Sequence, residues 1–304
     1  MSTLQNNLIR AVATAASIIA STVSTFSQDF DKVEIQTTKI TDNVYMLMGR
    51  GGNIGVCVGE DGVFLVDDQF APLTEKIETA VEAISSAPIR FVLNTHWHRD
   101  HTGGNENFGK AGAIIVAHDN VRKRMSTEQF IQALGNRVPP SPKDALPIVT
   151  FNDAVTFHMN GDEVHVFHVD PAHTDGDAVV HFRKANVVHM GDLYFSESYP
   201  FIDLSSGGSV NGVIEGVNHV LTMIDKDTKV IPGHGSLSDA DGLKTYHDML
   251  VTVRDRVMNM LTEKKTLEEI KSSKPTAEFD AAWGQGWIKP DKFVETIYED
   301  LVKK

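Results

Sequence analysis

The run Ile89-Arg90-Phe91-Val92-Leu93-Asn94-Thr95-His96-Trp97-His98-Arg99-Asp100-His101 places three imidazoles and a carboxylate within six residues, directly after an apolar stretch of strand character. One tight turn off a buried strand therefore presents four ligating side chains. Imidazole nitrogen and carboxylate oxygen suit zinc or another borderline divalent ion, and alternate residues of an extended turn point two imidazoles the same way. Histidine is a minor residue type, so three of them beside an aspartate read as a metal site rather than as a polar loop.

Single ligand candidates recur downstream, each near glycine and next to an apolar run: His173 in Pro171-Ala172-His173-Thr174-Asp175-Gly176, Asp192 in His189-Met190-Gly191-Asp192, and His234 in Pro232-Gly233-His234-Gly235. Alone, each reads as a loop histidine or a turn aspartate. In this order the motifs resemble those of the metallo-β-lactamase superfamily: an HxHxDH signature, an isolated His, a bridging Asp and a late Gly-His-Gly. The resemblance covers about Val33 to Lys264. It implies a four-layered αβ/βα sandwich with the metals at one edge of two facing sheets. It assigns His96, His98 and His173 to a first metal, Asp100, His101 and His234 to a second, and Asp192 to a bridge between them. Three imidazoles leave a zinc ion an open position, which means catalysis rather than scaffolding. A cysteine-ligated structural zinc is excluded, since Cys57 is the only cysteine and lies in none of these motifs.

At 304 residues, 41% hydrophobic and 23% charged, the chain has the composition of a folded enzyme. A formal net charge of −13 opposes a nucleic-acid partner, and the densest basic cluster, Arg122-Lys123-Arg124, reads as a solvated helix face. Residues 1–27 read as a signal peptide: a polar start with one Arg, the small apolar run Ala11 to Ala20, then Ser21 to Ser27 before the charged Asp29-Phe30-Asp31. A short amphipathic helix or a leader without fixed structure is the alternative. The expectation is a periplasmic or secreted protein, with a cytoplasmic one as the alternative. No uncharged apolar run approaches the ~20 residues of a membrane span.

The remaining pattern is α/β. Val44 to Met48, Ile54 to Val58 and Val63 to Val66 read as a meander of strands, and Pro72 to Ser85 as a covering helix with Leu73, Ile77, Val81 and Ile84 on one face. After the strand at Ile89 come a strand at Ala113 to Ala117 and a helix over Asp119 to Gly135. The proline-rich Val138 to Pro142 reads as a mid-chain boundary. The second half repeats the plan, with strands at Ala154 to Met159, Val164 to Val169, Ala178 to Phe182, Val187 to His189 and Lys229 to Ile231, then a long helix from Asp239 to Lys264. The domain organisation expected is thus a hydrolase domain over 28–272 and a helical extension over 273–304, carrying Trp283 and Trp287, packed on its surface.

Two adjacent divalent ions lower the pKa of a shared water and polarise a carbonyl, so hydrolysis of a β-lactam, lactone, ester or thioester follows. Two Zn2+ are the expected cofactors, with iron as the alternative. Asp100 is the catalytic candidate, one oxygen facing the metal and the other orienting the nucleophile. Asn211, in the loop-like Gly207 to Gly212 segment, is the substrate-binding candidate, and His189 a candidate support for the site. Superfamily β-lactamases of one subclass carry Cys where Asp192 stands and Lys three residues later. Here that place is Phe195, which turns the reading toward thioester hydrolases and lactonases, with β-lactamase activity as a side reaction. A single-iron dioxygenase of sulfur metabolism is the alternative, and a nuclease of the same fold is opposed by the acidic charge. The partner expected is a small-molecule substrate, with no nucleic acid.

Overall fold

The structure is a computed structural model that describes residues 30–303. The run read as a signal peptide lies outside the described residues. Strands β1 (Gln36–Lys39), β2 (Val44–Met48), β3 (Ile54–Cys57) and β4 (Val63–Val66) form an antiparallel meander. Helix α1 (Thr74–Glu82) carries the chain over to β5 (Ile89–Leu93), which runs parallel to β4, because parallel neighbours need a crossover that a hairpin cannot provide. Two short helices, α2 (Arg99–Thr102) and α3 (Asn105–Lys110), lead to β6 (Ile114–His118) and α4 (Asp119–Met125). A small hairpin, β7 (Gln129–Ile131) and β8 (Asn136–Val138), precedes β9 (Val149–Phe151), which closes the first sheet beside β6.

The second sheet begins with β10 (Ala154–Met159), β11 (Asp162–His168), β12 (Ala178–Phe182) and β13 (Val187–His189), all antiparallel. Helix α5 (Val210–Met223) crosses to β14 (Lys229–Ile231), parallel to β13, and β15 (Ser238–Asp239) ends the sheet. Helices α6 (Ala240–Thr262), α7 (Leu267–Ser272), α8 (Asp280–Trp283) and α9 (Pro290–Val302) complete the chain.

Side-chain alternation along the strands builds two cores from one sheet. Val164 and Val166 of β11, with Val180 and Phe182 of β12, face Val44, Met46, Phe64, Val66 and Leu93 of the first sheet in one apolar layer, which also holds Cys57. Their neighbours Phe167 and Val179 point the other way, into a layer with Val213 and Val217 of α5 and Leu250 and Val253 of α6. The result is the αβ/βα sandwich. Residues 273–303 contribute to that outer layer: Phe293, Val294 and Ile297 of α9 are buried in it.

Three expectations need correction. The helix from Asp119 stops at Met125, not Gly135, because Ser126 and Thr127 turn their hydroxyls back onto the Lys123 carbonyl and the chain then reverses into the hairpin. The Val138 to Pro142 run interrupts regular structure inside one compact unit that begins at Val33 and separates no units. The basic cluster on α4 is not simply a solvated face: Arg124 makes a two-pronged ion pair with Asp175 at 2.6 and 2.7 Å, and Arg122 donates to the Pro147 carbonyl.

Candidate metal centre

The segments that follow β5, β11, β13 and β14 converge at one edge of the two sheets, and each brings part of the site. The structure gathers His96, His98, His173 and Asp192 into one group and Asp100, His101 and His234 into a second, with the donor atoms of each group within 4.8 Å of one another. Asp192 faces both. Its Oδ2 lies 3.8 Å from His96 Nε2 and 3.5 Å from His173 Nε2, while its Oδ1 lies 3.1 Å from His101 Nε2 and 3.4 Å from His234 Nε2. Asp100 Oδ2 is 3.3 Å from His234 Nε2, on the more open side of the centre.

The outward nitrogens decide which imidazole atoms point inward. His173 Nδ1 donates to the Phe201 carbonyl at 2.7 Å, His98 Nε2 to Asp203 Oδ2 at 3.1 Å, and His101 Nδ1 to Asp67 Oδ2 at 2.8 Å. His96 Nδ1 meets the Thr95 hydroxyl at 3.1 Å. With those protons placed outside, the inward lone pairs of His173 Nε2 and His98 Nδ1 confront each other at 2.9 Å, and that of His101 Nε2 faces His234 Nε2 at 3.3 Å. Buried His96 Nε2 and Asp192 Oδ1 have no hydrogen-bond partner. Facing acceptors and unpaired buried acceptors are costly unless a cation sits among them, so the donor set fits a metal centre.

Electrostatics agrees. Burial, and then the charge of neighbouring imidazoles, holds His96 well below the ordinary histidine range, and burial takes His173 down to about 4. Both are therefore neutral at pH 7, the state in which an imidazole can ligate. Burial also opposes protonation of His101 and His234, yet the Asp192 and Asp100 carboxylates outweigh it and push both up, His234 to about 9. That half of the centre demands positive charge, which a divalent ion supplies in place of protons.

Close backbone approach makes the geometry possible. A Cβ on Gly52 would stand 2.0 Å from His101 Cε1, and one on Gly233 would stand 2.1 Å from Asp192 Oδ1. His189 acts on the turn that carries Asp192: its Nδ1 accepts from the Gly191 amide at 3.1 Å, and its Nε2 reaches the Asn53 carbonyl at 3.1 Å.

Asn211 lies on a helix rather than in a loop. The segment expected to be a loop is the start of α5, with Ser209 as its N-cap, and Asn211 Oδ1 accepts from Arg254 on α6 at 2.6 Å. Sequence reasoning missed Asp67, whose carboxylate takes the Thr95 amide and hydroxyl, each at 2.8 Å, besides His101. A carboxylate directly after an all-apolar strand was the available signal. It also missed Asp203, which accepts from the Ser206 hydroxyl at 2.6 Å as well as from His98. Against burial, the hydrogen bonds from His98, Ser205 and Ser206 hold its carboxyl well below the usual carboxylate range.

The model of the metallo-beta-lactamase superfamily matches residues 47–253. The chain belongs to this superfamily. It is accordingly an enzyme of the metal-dependent hydrolase class. A hydroxyacylglutathione hydrolase of Erythrobacter litoralis (strain HTCC2594) is 26% identical over 148 residues, 46% of this chain and 51% of the relative, so the chain spans about half that relative's length. Among solved structures, a metallo-beta-lactamase from Pontibacter korlensis superposes with a TM-score of 0.57 at 20% identity, covering 71% of this chain and 99% of that one. A stereoselective inverting sec-alkylsulfatase from Pseudomonas sp. gives 0.67 at 16% identity, over 87% of this chain and 50% of the other. At these identities the two structures share the superfamily fold with this chain. No helix among the described residues is long and apolar enough to cross a membrane.

Proposed function

We propose that the chain is a two-zinc acyl hydrolase acting on a thioester, lactone or ester, with β-lactam cleavage as a side activity. One observation carries the reading: the two oxygens of Asp192 divide between the two groups, Oδ2 toward His96 and His173 and Oδ1 toward His101 and His234. Asp192 would thereby serve both cations of a pair held at the two groups. His96, His98 and His173 would hold one, and Asp100, His101 and His234 the other. A cation pair in such a site supplies Lewis acidity and an acidified water.

The protein's own groups do the positioning. Asp100 turns Oδ2 toward His234 and keeps its second oxygen to orient the attacking water and accept its proton. The Phe201 carbonyl, Asp203 and Asp67 fix which nitrogen of His173, His98 and His101 faces inward. Phe195 stacks on His234 with ring centres 5.1 Å apart, at the place where some superfamily β-lactamases carry lysine, so the wall there is apolar rather than cationic. The likeness to a hydroxyacylglutathione hydrolase supports a thioester as the scissile bond.

The test couples metal content of the purified protein to rates on a glutathione thioester, a lactone, a chromogenic cephalosporin and a persulfide. Two equivalents of zinc with fastest turnover of the thioester or lactone is the expected result. Stoichiometric iron with persulfide oxidation overturns it. Export is part of the same proposal, and N-terminal sequencing of periplasmic and cytoplasmic fractions checks it.

A further inference from the structure

We propose that the C-terminal segment, residues 276–302, is a positioning element for the metal centre, acting through Tyr199; the inference rests on the metal-centre reading above. The loop from Tyr194 to Ser206 touches three of the candidate ligands. Phe195 stacks on His234 at 5.1 Å with the rings 15° from parallel, the Phe201 carbonyl takes the His173 Nδ1 proton, and Asp203 takes that of His98. Between Ser196 and Asp203 the loop contains neither helix nor strand. A backbone stretch of that kind holds three imidazoles in register only if something outside it removes its freedom.

The C-terminal segment does so at the middle of the loop. Tyr199 is fully buried, its amide donates to the Trp283 carbonyl at 3.1 Å, and its hydroxyl donates to Asp280 Oδ1 at 2.9 Å. Its ring stacks on Phe293 of α9, with centres 4.7 Å apart and planes 16° from parallel. One residue earlier, Gly286 presses on Ser198 so closely that a Cβ on the glycine would stand 2.3 Å from the serine Cβ. Tyr199 reaches no candidate ligand itself. It is a positioning residue, and α8 and α9 are the surface against which it positions.

The experiment uses the full chain freed of metal and three variants. Phe293→Ala removes the ring under Tyr199, Tyr199→Phe removes only the hydroxyl that reaches Asp280, and Val257→Ala cuts the same apolar layer on α6. Zn2+ affinity is read by competition with a chromogenic chelator, and the geometry of the site by the visible spectrum of the Co2+-loaded protein. Phe293→Ala, which acts through Tyr199 and the loop rather than on a ligand's own partner, is expected to weaken Zn2+ binding by up to about 10-fold, the lower end of what loss of a direct partner costs, and to shift the Co2+ bands. Tyr199→Phe moves both in the same direction by a smaller factor. Val257→Ala lowers the melting temperature and leaves affinity and spectrum in place. Wild-type affinity in a folded Phe293→Ala protein overturns the proposal, as does equal weakening by Val257→Ala. If Phe293→Ala does not fold, unchanged affinity in Tyr199→Phe overturns it. A wild-type chain that fails to take Zn2+ from the chelator overturns the metal-centre reading itself.

Discussion

Replacing Asp67 by Asn tests whether the outward hydrogen bonds select the ligating nitrogens. In the native chain Asp67 Oδ1 accepts the Thr95 amide, and Oδ2 accepts both the Thr95 hydroxyl and His101 Nδ1–H, all at 2.8 Å. An asparagine in the same rotamer keeps the first bond with its oxygen and presents N–H where Oδ2 stood. His101 can then keep its Nδ1 proton and leave it facing a donor, or move the proton to Nε2 and lose the lone pair aimed at the centre. The same swap behind a catalytic histidine is costly for this tautomeric reason. Loss of such a partner lowers metal affinity about 10- to 100-fold, or about 1.4 to 2.8 kcal/mol. Chelator competition with Zn2+ on the purified variant measures it. Circular dichroism should show an intact fold, since side-chain volume is unchanged. Affinity within twofold of wild type would refute the reasoning.

Three more outcomes follow from the geometry. Stripping metal with a chelator should remove about 2.7 kcal/mol of stability, the linkage expected at 100-fold excess over Kd, and lower the melting midpoint by about 5 to 10 °C; an unchanged midpoint contradicts the metal centre. Gly233→Ala brings a methyl within 2.1 Å of Asp192 Oδ1 and 2.6 Å of the Gly191 carbonyl, so thermal unfolding should show a cost of about 1–3 kcal/mol together with weaker Zn2+ binding. Asp100→Ala should reduce kcat about 10²- to 10⁴-fold on whichever substrate proves active; near-normal kcat in the fully metallated variant removes Asp100 from the catalytic role.

The parts of the site legible in the sequence were those carried by local concentration. His96, His98, Asp100 and His101 sit in one turn, and Asp192 and His234 each stand beside glycine after an apolar run, with His173 three residues before one, so chemistry and punctuation coincide. Strands such as Ala154–Met159 and Val187–His189 were legible for the same reason, through apolar runs bounded by turn residues. Asp67, Asp203 and Tyr199 were not, because each has its meaning only through partners far along the chain: Asp203 meets His98 across 105 positions and Tyr199 meets Asp280 across 81. The hairpin at Gln129 was hidden by a helical continuation that two hydroxyls on the Lys123 carbonyl cut short. The glycines of Gly207 to Gly212 point to a loop, whereas the Ser209 side chain caps a helix that begins within the segment.

Cys57 gives this sandwich a built-in gauge. Its thiol lies in the apolar layer between the two sheets, fully buried, and burial pushes it up to about 11. At neutral pH it is shielded both by the layer and by its proton, so a thiol reagent reacts only when the sheets part. With one cysteine in the chain, the rate of labelling in native buffer counts those openings directly, without denaturant and without a reporter built in. Because the candidate ligands hang from both sheets, the same rate measured with and without Zn2+ tests whether a bound metal holds the halves closed.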